Sequence, residues 1–297
     1  MRLDDASDAK LFFARRLIYT VINKKFSPAP SFYARVYTAH KNFASHMIHR
    51  GGIMDRLCFV LDECDERMKY LSRMLCDFHS PSAAKCYVFP PNILLTRAAV
   101  KELSDGSFLC YGRITDDALP ILESKGIKAF CMLCDEEFAA KNAALTAEAA
   151  LSILIDRPDV GLAGLNVLIV GFGRVGAALA NLLCRLNVRT TIATSASARP
   201  ARAFSTCVIP LEHIDFSPYN AVVNTAPARI ATDQELLSLK AGTLFVELAS
   251  NPSVNLNFAK YIGVDADIYP ALPTKCSPQS AAQIIADFVV EKLQTSA

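Results

Sequence analysis

Two α/β domains are expected of this chain, a small one first and a doubly wound parallel sheet after it, and three observations predict them. The apolar run Val167-Leu168-Ile169-Val170 leads straight into Gly171-x-Gly173-x-x-Gly176, and Leu179, Leu182, Leu183 and Leu186 then recur at helical spacing. On both sides of this point short apolar runs alternate with helical patterns, as parallel sheets require. An alanine-rich stretch free of turn residues separates the two series. Strand, glycine turn and helix in that order make the second domain Rossmann-type. A linking helix then joins it to the smaller N-terminal α/β domain. In the turn, Gly171 permits the tight reversal, Gly173 lets a pyrophosphate approach the backbone, and Gly176 lets the helix pack on the strand. Phe172, Arg174 and Val175 lie inside the same cofactor-binding turn, and the start of the helix offers N–H groups to phosphate.

Composition sets the outer bounds. The 297 residues suffice for two domains, and 52% hydrophobic content suffices for two cores. A net charge of +2 gives no reason to expect a nucleic acid or an anionic membrane surface as partner. No run reads as a bilayer span or a signal peptide, so the expectation is a cytoplasmic protein with no membrane partner. The ten cysteines are scattered through apolar stretches and read as reduced core residues. Cys131-Met132-Leu133-Cys134 has CxxC spacing but lies in a run read as strand, where positions three apart face opposite ways. Lacking a second pair, it is read as buried strand cysteine, and no metal is expected.

Residues 1–53 stand apart as a basic N-terminal extension, with Arg15, Arg16, Lys24 and Lys25 and the turn-like Pro28 and Pro30. Gly51-Gly52 shortly before Met54 can be encoded as a ribosome-binding sequence, so Met54 is the expected start and the extension is expected to be poorly ordered. The small domain spans 54–141. Its strands are expected at 57–61, 86–89, 107–111 and 128–133, with helices over 66–78 and 116–124 and Gly126 as helix stop. Residues 142–158 form the linking helix, ended by Asp156-Arg157-Pro158. Glu148 is the unusual acid in it, either an exposed residue or a carboxylate facing an interdomain cleft.

The nucleotide domain covers 159–276. After the glycine turn, strands are expected at 190–194, 207–209, 219–223, 244–248 and 267–269. The end of the second strand carries Thr194, Ser195 and Arg199, with Arg202 behind, rather than the acid that holds the ribose hydroxyls of NAD. Hydroxyls and arginines suit a 2′-phosphate, which favours NADP and leaves NAD open. Asn224-Thr225-Ala226-Pro227 follows a strand at its carboxyl end, where a ligand lies in such sheets. Its Asn and Thr groups are expected to face cofactor or substrate. Ser277 and Pro278 open a last helix over 277–297, read as packing back across the cleft, and its start can receive a carboxylate.

Five motifs now stand in order: Asn142-x-x-x-Thr146-x-Glu148; Gly171 to Gly176; Asn224-Thr225-Ala226-Pro227; Glu247-Leu248-Ala249-Ser250-Asn251-Pro252; and Pro270-Ala271-Leu272-Pro273 with Ser277-Pro278-x-Ser280. The set resembles the family of NAD(P)-binding subunits of dipicolinate synthase from endospore-forming bacteria, from about Met54 to the C-terminus. The resemblance implies an NAD(P)-dependent oxidation in the lysine branch, turning a cyclic dihydro- or hydroxytetrahydrodipicolinate into the aromatic dicarboxylate during sporulation, in the mother-cell cytoplasm. It implies as partner the other, flavoprotein-like subunit of dipicolinate synthase and leaves a homo-oligomer open. Under it, Asn142, Thr146, Asn224, Lys275, Ser277 and Ser280 are candidate substrate-binding residues, and Thr225, Ala226 and Pro227 join the cofactor set. Glu148 is the candidate base. Three positions depart from the family pattern: Ser253-Val254 replace two glycines, Gln279 a lysine, and Thr194 an arginine. Another NAD(P) dehydrogenase of a small carboxylated substrate, or a dinucleotide-binding regulatory protein, remains an alternative.

Overall fold

A computed structural model describes residues 58–60, 65–76, 84–156, 160–195, 207–212, 214–249 and 252–296. The basic extension with the expected start at Met54, and Arg199, Arg202, Ser250 and Asn251, lie outside the described residues. The chain divides into two units, Ala139–Ser277 forming one and the residues up to Phe138 joining Pro278–Ala297 in the other.

In the first unit the strands β1 (Cys58–Val60), β2 (Cys86–Val88), β4 (Phe108–Tyr111) and β6 (Lys128–Cys131) form a parallel sheet in that order, and β3 (Leu94–Leu95) pairs with β5 (Arg113–Ile114). Strand alternation sends successive side chains to two covered faces. Cys86, Val88, Phe108 and Cys110 face helices α1 (Glu66–Met74) and α9 (Pro278–Thr295), where Met68, Leu71, Ile285, Phe288 and Val289 fill one core. Tyr87 and Leu109 face the other way, onto Val100 of α2 (Arg97–Lys101) and Leu122 of α3 (Leu119–Ser124). Asp65 caps α1 by accepting from the Arg67 N–H at 3.0 Å, and the buried Arg67 guanidinium pairs with the same carboxylate at 2.6 Å.

The expected strand over 128–133 stops early. Beyond Cys131, Met132–Cys134 form a 3-10 turn that folds the chain back before helix α4 (Glu136–Asp156). The turn brings Cys131 and Cys134 together as a disulfide with Cα atoms 5.2 Å apart, which corrects the reading of both as reduced strand cysteines. A strand would have pointed the two sulfurs apart, and the turn removes that obstacle. Helix α4 is the one long apolar candidate span among the described residues. Its length and composition alone are enough to cross a membrane, although a core helix passes the same test.

The second unit holds a six-stranded, wholly parallel sheet in the order β12-β11-β10-β7-β8-β9. The strands are β7 (Asn166–Val170), β8 (Arg189–Ala193), β9 (Cys207–Ile209), β10 (Ala221–Asn224), β11 (Leu244–Glu247) and β12 (Asp265–Ile268). Val167 and Ile169 of β7 face Ala147, Ala150 and Leu154 of α4 and Leu179 and Leu183 of α5 (Arg174–Arg185). Leu168 and Val170 face the opposite core, with Leu236 of α6 (Asp233–Leu236) and Ala259 of α7 (Leu256–Tyr261). The chain returns towards α9 through α8 (Leu272–Cys276), whose preceding residue Ala271 has φ 56°. Both faces of the sheet are covered, which is why its strands read as unbroken apolar runs.

Candidate functional site

The sheet order places the chain reversal between β7 and β10. From β7 the sheet grows one way through β8 and β9 and the other way through β10, β11 and β12. Ligands of such sheets lie at the carboxyl ends of the strands at this switch point. Two loops leave the sheet there, Gly171–Gly173 after β7 and Thr225–Pro227 after β10.

The fold requires two glycines of the turn, and the third leaves open space. Gly171 has φ +95°, and a Cβ on it would lie 2.7 Å from Thr225 Oγ1. A Cβ on Gly176 would lie 2.3 Å from the Gly171 carbonyl oxygen, so this glycine permits the close approach of α5 to β7. Gly173 is exposed in an extended conformation, and a Cβ there meets nothing within 4 Å. It occupies the N-cap of α5 without a side-chain cap, so the first turn of a twelve-residue helix opens onto clear space. That opening fits a dinucleotide pyrophosphate. Arg174 is exposed at the first helical position, Phe172 is half-buried against the core and Val175 is half-buried.

The facing loop is fixed from beneath. Thr225 Oγ1 donates to the Val170 carbonyl at 3.0 Å. Asn224 is 0% exposed; its amide donates to the Ala226 carbonyl at 2.9 Å and to Glu247 Oε1 at 2.7 Å, and its carbonyl accepts from the Ala226 N–H at 3.1 Å. With both amide hydrogens spent inside the protein, Asn224 is not the ligand-facing group expected of it; it shapes the loop. Ala226 is half-buried and Pro227 exposed. Glu247, at the end of β11 and also 0% exposed, accepts from Asn224, from the Ala249 N–H at 3.0 Å, from the Ser253 N–H at 2.8 Å and from Ser253 Oγ. A buried carboxylate supplied with four donors ties the loop after β10 to the loop after β11. The sequence reading gave Glu247 no role, yet an acid closing the apolar run 244–246 was a usable signal. Ser253, which replaces a glycine of the family pattern, supplies two of the donors.

At the end of β8, Thr194 is buried and Ser195 exposed, on the strand next to the glycine turn. On α4, Asn142 and Thr146 are half-buried one turn apart, and Thr146 Oγ1 donates to the Asn142 carbonyl at 3.0 Å. Glu148 belongs to the exposed stripe Ala144, Glu148 and Ser152. At about 100° per residue it lies about 200° around the helix from Thr146, so the three do not share a face. Lys275 is exposed on α8, Ser277 is half-buried immediately before α9, and Ser280 is exposed on α9.

Fold and turn together define a Rossmann-type α/β protein whose glycine turn has the form of a dinucleotide-binding turn. More particularly, the chain is similar to a dipicolinate synthase subunit of Bacillus subtilis (strain 168), with 28% identity over 165 residues. That similarity spans 53% of this chain and 54% of the relative's length. The solved structure of the corresponding dipicolinate synthase subunit from Bacillus halodurans superposes with a TM-score of 0.64 at 20% identity, covering 76% of this chain and 94% of that one. The apo structure of D-lactate dehydrogenase from Escherichia coli gives a TM-score of 0.55 at 11% identity, over 80% of this chain and 96% of that one. No family model matches the chain.

Proposed function

We propose that this chain is an NAD(P)-dependent oxidoreductase, the dinucleotide-binding subunit of a dipicolinate synthase. It oxidises dihydro- or hydroxytetrahydrodipicolinate to dipicolinate during sporulation, partnered by a second, flavoprotein-like subunit. The observation that carries the reading is the glycine turn at the switch point, with Gly173 open to a pyrophosphate beside a loop fixed by Asn224 and Glu247. Similarity to the dipicolinate synthase of Bacillus subtilis supports the substrate.

When bound, the nicotinamide supplies hydride acceptance. The chain's own residues do the rest. Gly171 to Gly176 hold the pyrophosphate, and Thr225, Ala226 and Pro227 bound the cofactor on the β10 side. Thr194, Ser195 and Arg199 take the 2′-phosphate, and the lack of an acid at Thr194 and Ser195 supports NADP over NAD. Lys275, Ser277 and Ser280 are the polar groups assigned to the dicarboxylate and Glu148 takes the ring proton lost on aromatisation, while Asn142 and Thr146, on another face of α4, do not meet the same ligand.

The test is to mix purified protein, with and without the flavoprotein-like partner, with enzymatically made hydroxytetrahydrodipicolinate and NADP, and to follow dipicolinate absorbance. Dipicolinate is expected in at least one mixture. Its absence from both, with protein that is folded and binds the dinucleotide, would refute the substrate assignment. Equal affinity for NAD and NADP, unchanged in Arg199→Ala, would refute the NADP preference.

A further inference from the structure

We propose that Cys131 and Cys134 form a thiol–disulfide exchange site whose partner is a dithiol, carried on the unit that does not contain the glycine turn. The pair is made by local folding: β6 ends at Cys131, and the 3-10 turn Met132–Cys134 reverses the chain so that the two Cα atoms stand 5.2 Å apart. Among the described side chains, Cys76, Cys110, Cys184 and Cys276 are thiols outside any disulfide.

The two sulfurs are not equivalent. Cys134 is exposed and Cys131 half-buried behind it, so a partner reaches Cys134 first. Cys134 also directly precedes Asp135, whose carboxylate accepts from the Phe138 N–H at 3.0 Å at the start of α4. The first turn of that 21-residue helix carries Glu136 and Glu137, so the difference between the two sulfurs rests on access rather than on the helix end. Lys292 Nζ pairs with Asp135 at 3.0 Å and with Glu291 at 2.9 Å. A CxxC with one reachable sulfur, placed between a strand and a helix N-terminus, has the parts of an exchange site.

The step balances with the dithiol as reductant. One thiolate of the partner attacks Cys134 Sγ; the Cys131–Cys134 bond breaks, and Cys131 leaves with the electron pair and takes up a proton. The partner's second thiolate then attacks its own sulfur in the mixed disulfide, releasing Cys134 as a thiol. Two electrons and two protons pass from the dithiol to the cystine, and the partner leaves as a disulfide.

The experiment uses the full chain equilibrated in graded ratios of reduced to oxidised dithiothreitol, quenched in acid, alkylated and digested for mass spectrometry. The peptide carrying Cys131 and Cys134 is expected to switch between no label and two labels within the series, while the Cys184 and Cys276 peptides stay labelled and circular dichroism is unchanged. Two labels in the most oxidised buffer would overturn the proposal, and so would an unlabelled pair that opens only on denaturation. With oxidised glutathione as probe, Cys131→Ser is expected to take up the adduct about tenfold faster than Cys134→Ser. The reverse order would overturn the assignment of Cys134 as the attacked sulfur. Neither readout depends on the dinucleotide reading.

Discussion

A methyl group added to the glycine turn has opposite consequences two or three residues apart. In Gly176→Ala the new carbon meets backbone, the Gly171 carbonyl at 2.3 Å, which cannot move without shifting β7 or α5. We expect a loss of about 2 kcal/mol of stability, read as a lower Tm in thermal unfolding. In Gly173→Ala the carbon enters open space, so Tm should hold while titration with the reduced dinucleotide shows affinity weakened about tenfold, or about 1.4 kcal/mol. Unchanged affinity in Gly173→Ala would remove the turn from the cofactor site. Beneath the turn, Glu247→Ala strips the partner from buried donors of Asn224 and Ser253, and a cost of about 3 kcal/mol is expected in denaturant unfolding. Glu148→Gln tests the proposed base: kcat should fall about 100-fold with dinucleotide affinity intact, and an unchanged kcat refutes the role. Gly171 and Gly176 were legible because a positive φ and a close approach admit few residues. Asn224 was misread because hydrogen-bonding capacity is visible in a sequence while the direction in which it is spent is not.

At the scale of elements, the informative case is the junction of β6, the 3-10 turn and α4. Apolar residues through Leu133 read as continuous strand, and periodicity over so short a run cannot separate strand from turn. What closes the strand is the capping of the next helix. Asp135 accepts from the Phe138 N–H, and Lys292 of α9 donates to it. The Phe138 N–H, then the Lys292 ammonium, hold the Asp135 carboxyl below its ordinary value of 3.8. A folded-state pKa that is lowered stabilises the fold at pH above the ordinary value, and the contribution is lost as pH falls through the folded-state value. Asp135→Asn should therefore flatten the dependence of unfolding free energy on pH below about 4, with little change in its slope near neutrality. An acid limb identical to that of the parent protein would show that the cap contributes nothing. The opposite partner behaves oppositely: hydrogen bonds to Glu291 first and then Asp135 raise Lys292, so its contribution is present below its ordinary value of 10.5 and lost at higher pH.

For the whole molecule, most strands and the main helices followed from apolar runs and glycine punctuation, because a parallel sheet covered on both faces demands uninterrupted hydrophobic strands. Helices α6, α7 and α8 were not expected; at four to six residues they carry too few turns to show a period. The sequence alone determined the two-part α/β class, the dinucleotide turn and the resemblance that points to a substrate, since these rest on residue types at fixed local spacing. Only the tertiary structure decided the strand order that sets the turn opposite Thr225, and the joining of Pro278–Ala297 to the first unit. It also decided that Asn224 and Glu247 build the floor of the site and that Cys131 meets Cys134. Those depend on which distant or reversed segments are brought within a few ångströms, and local spacing carries no record of that.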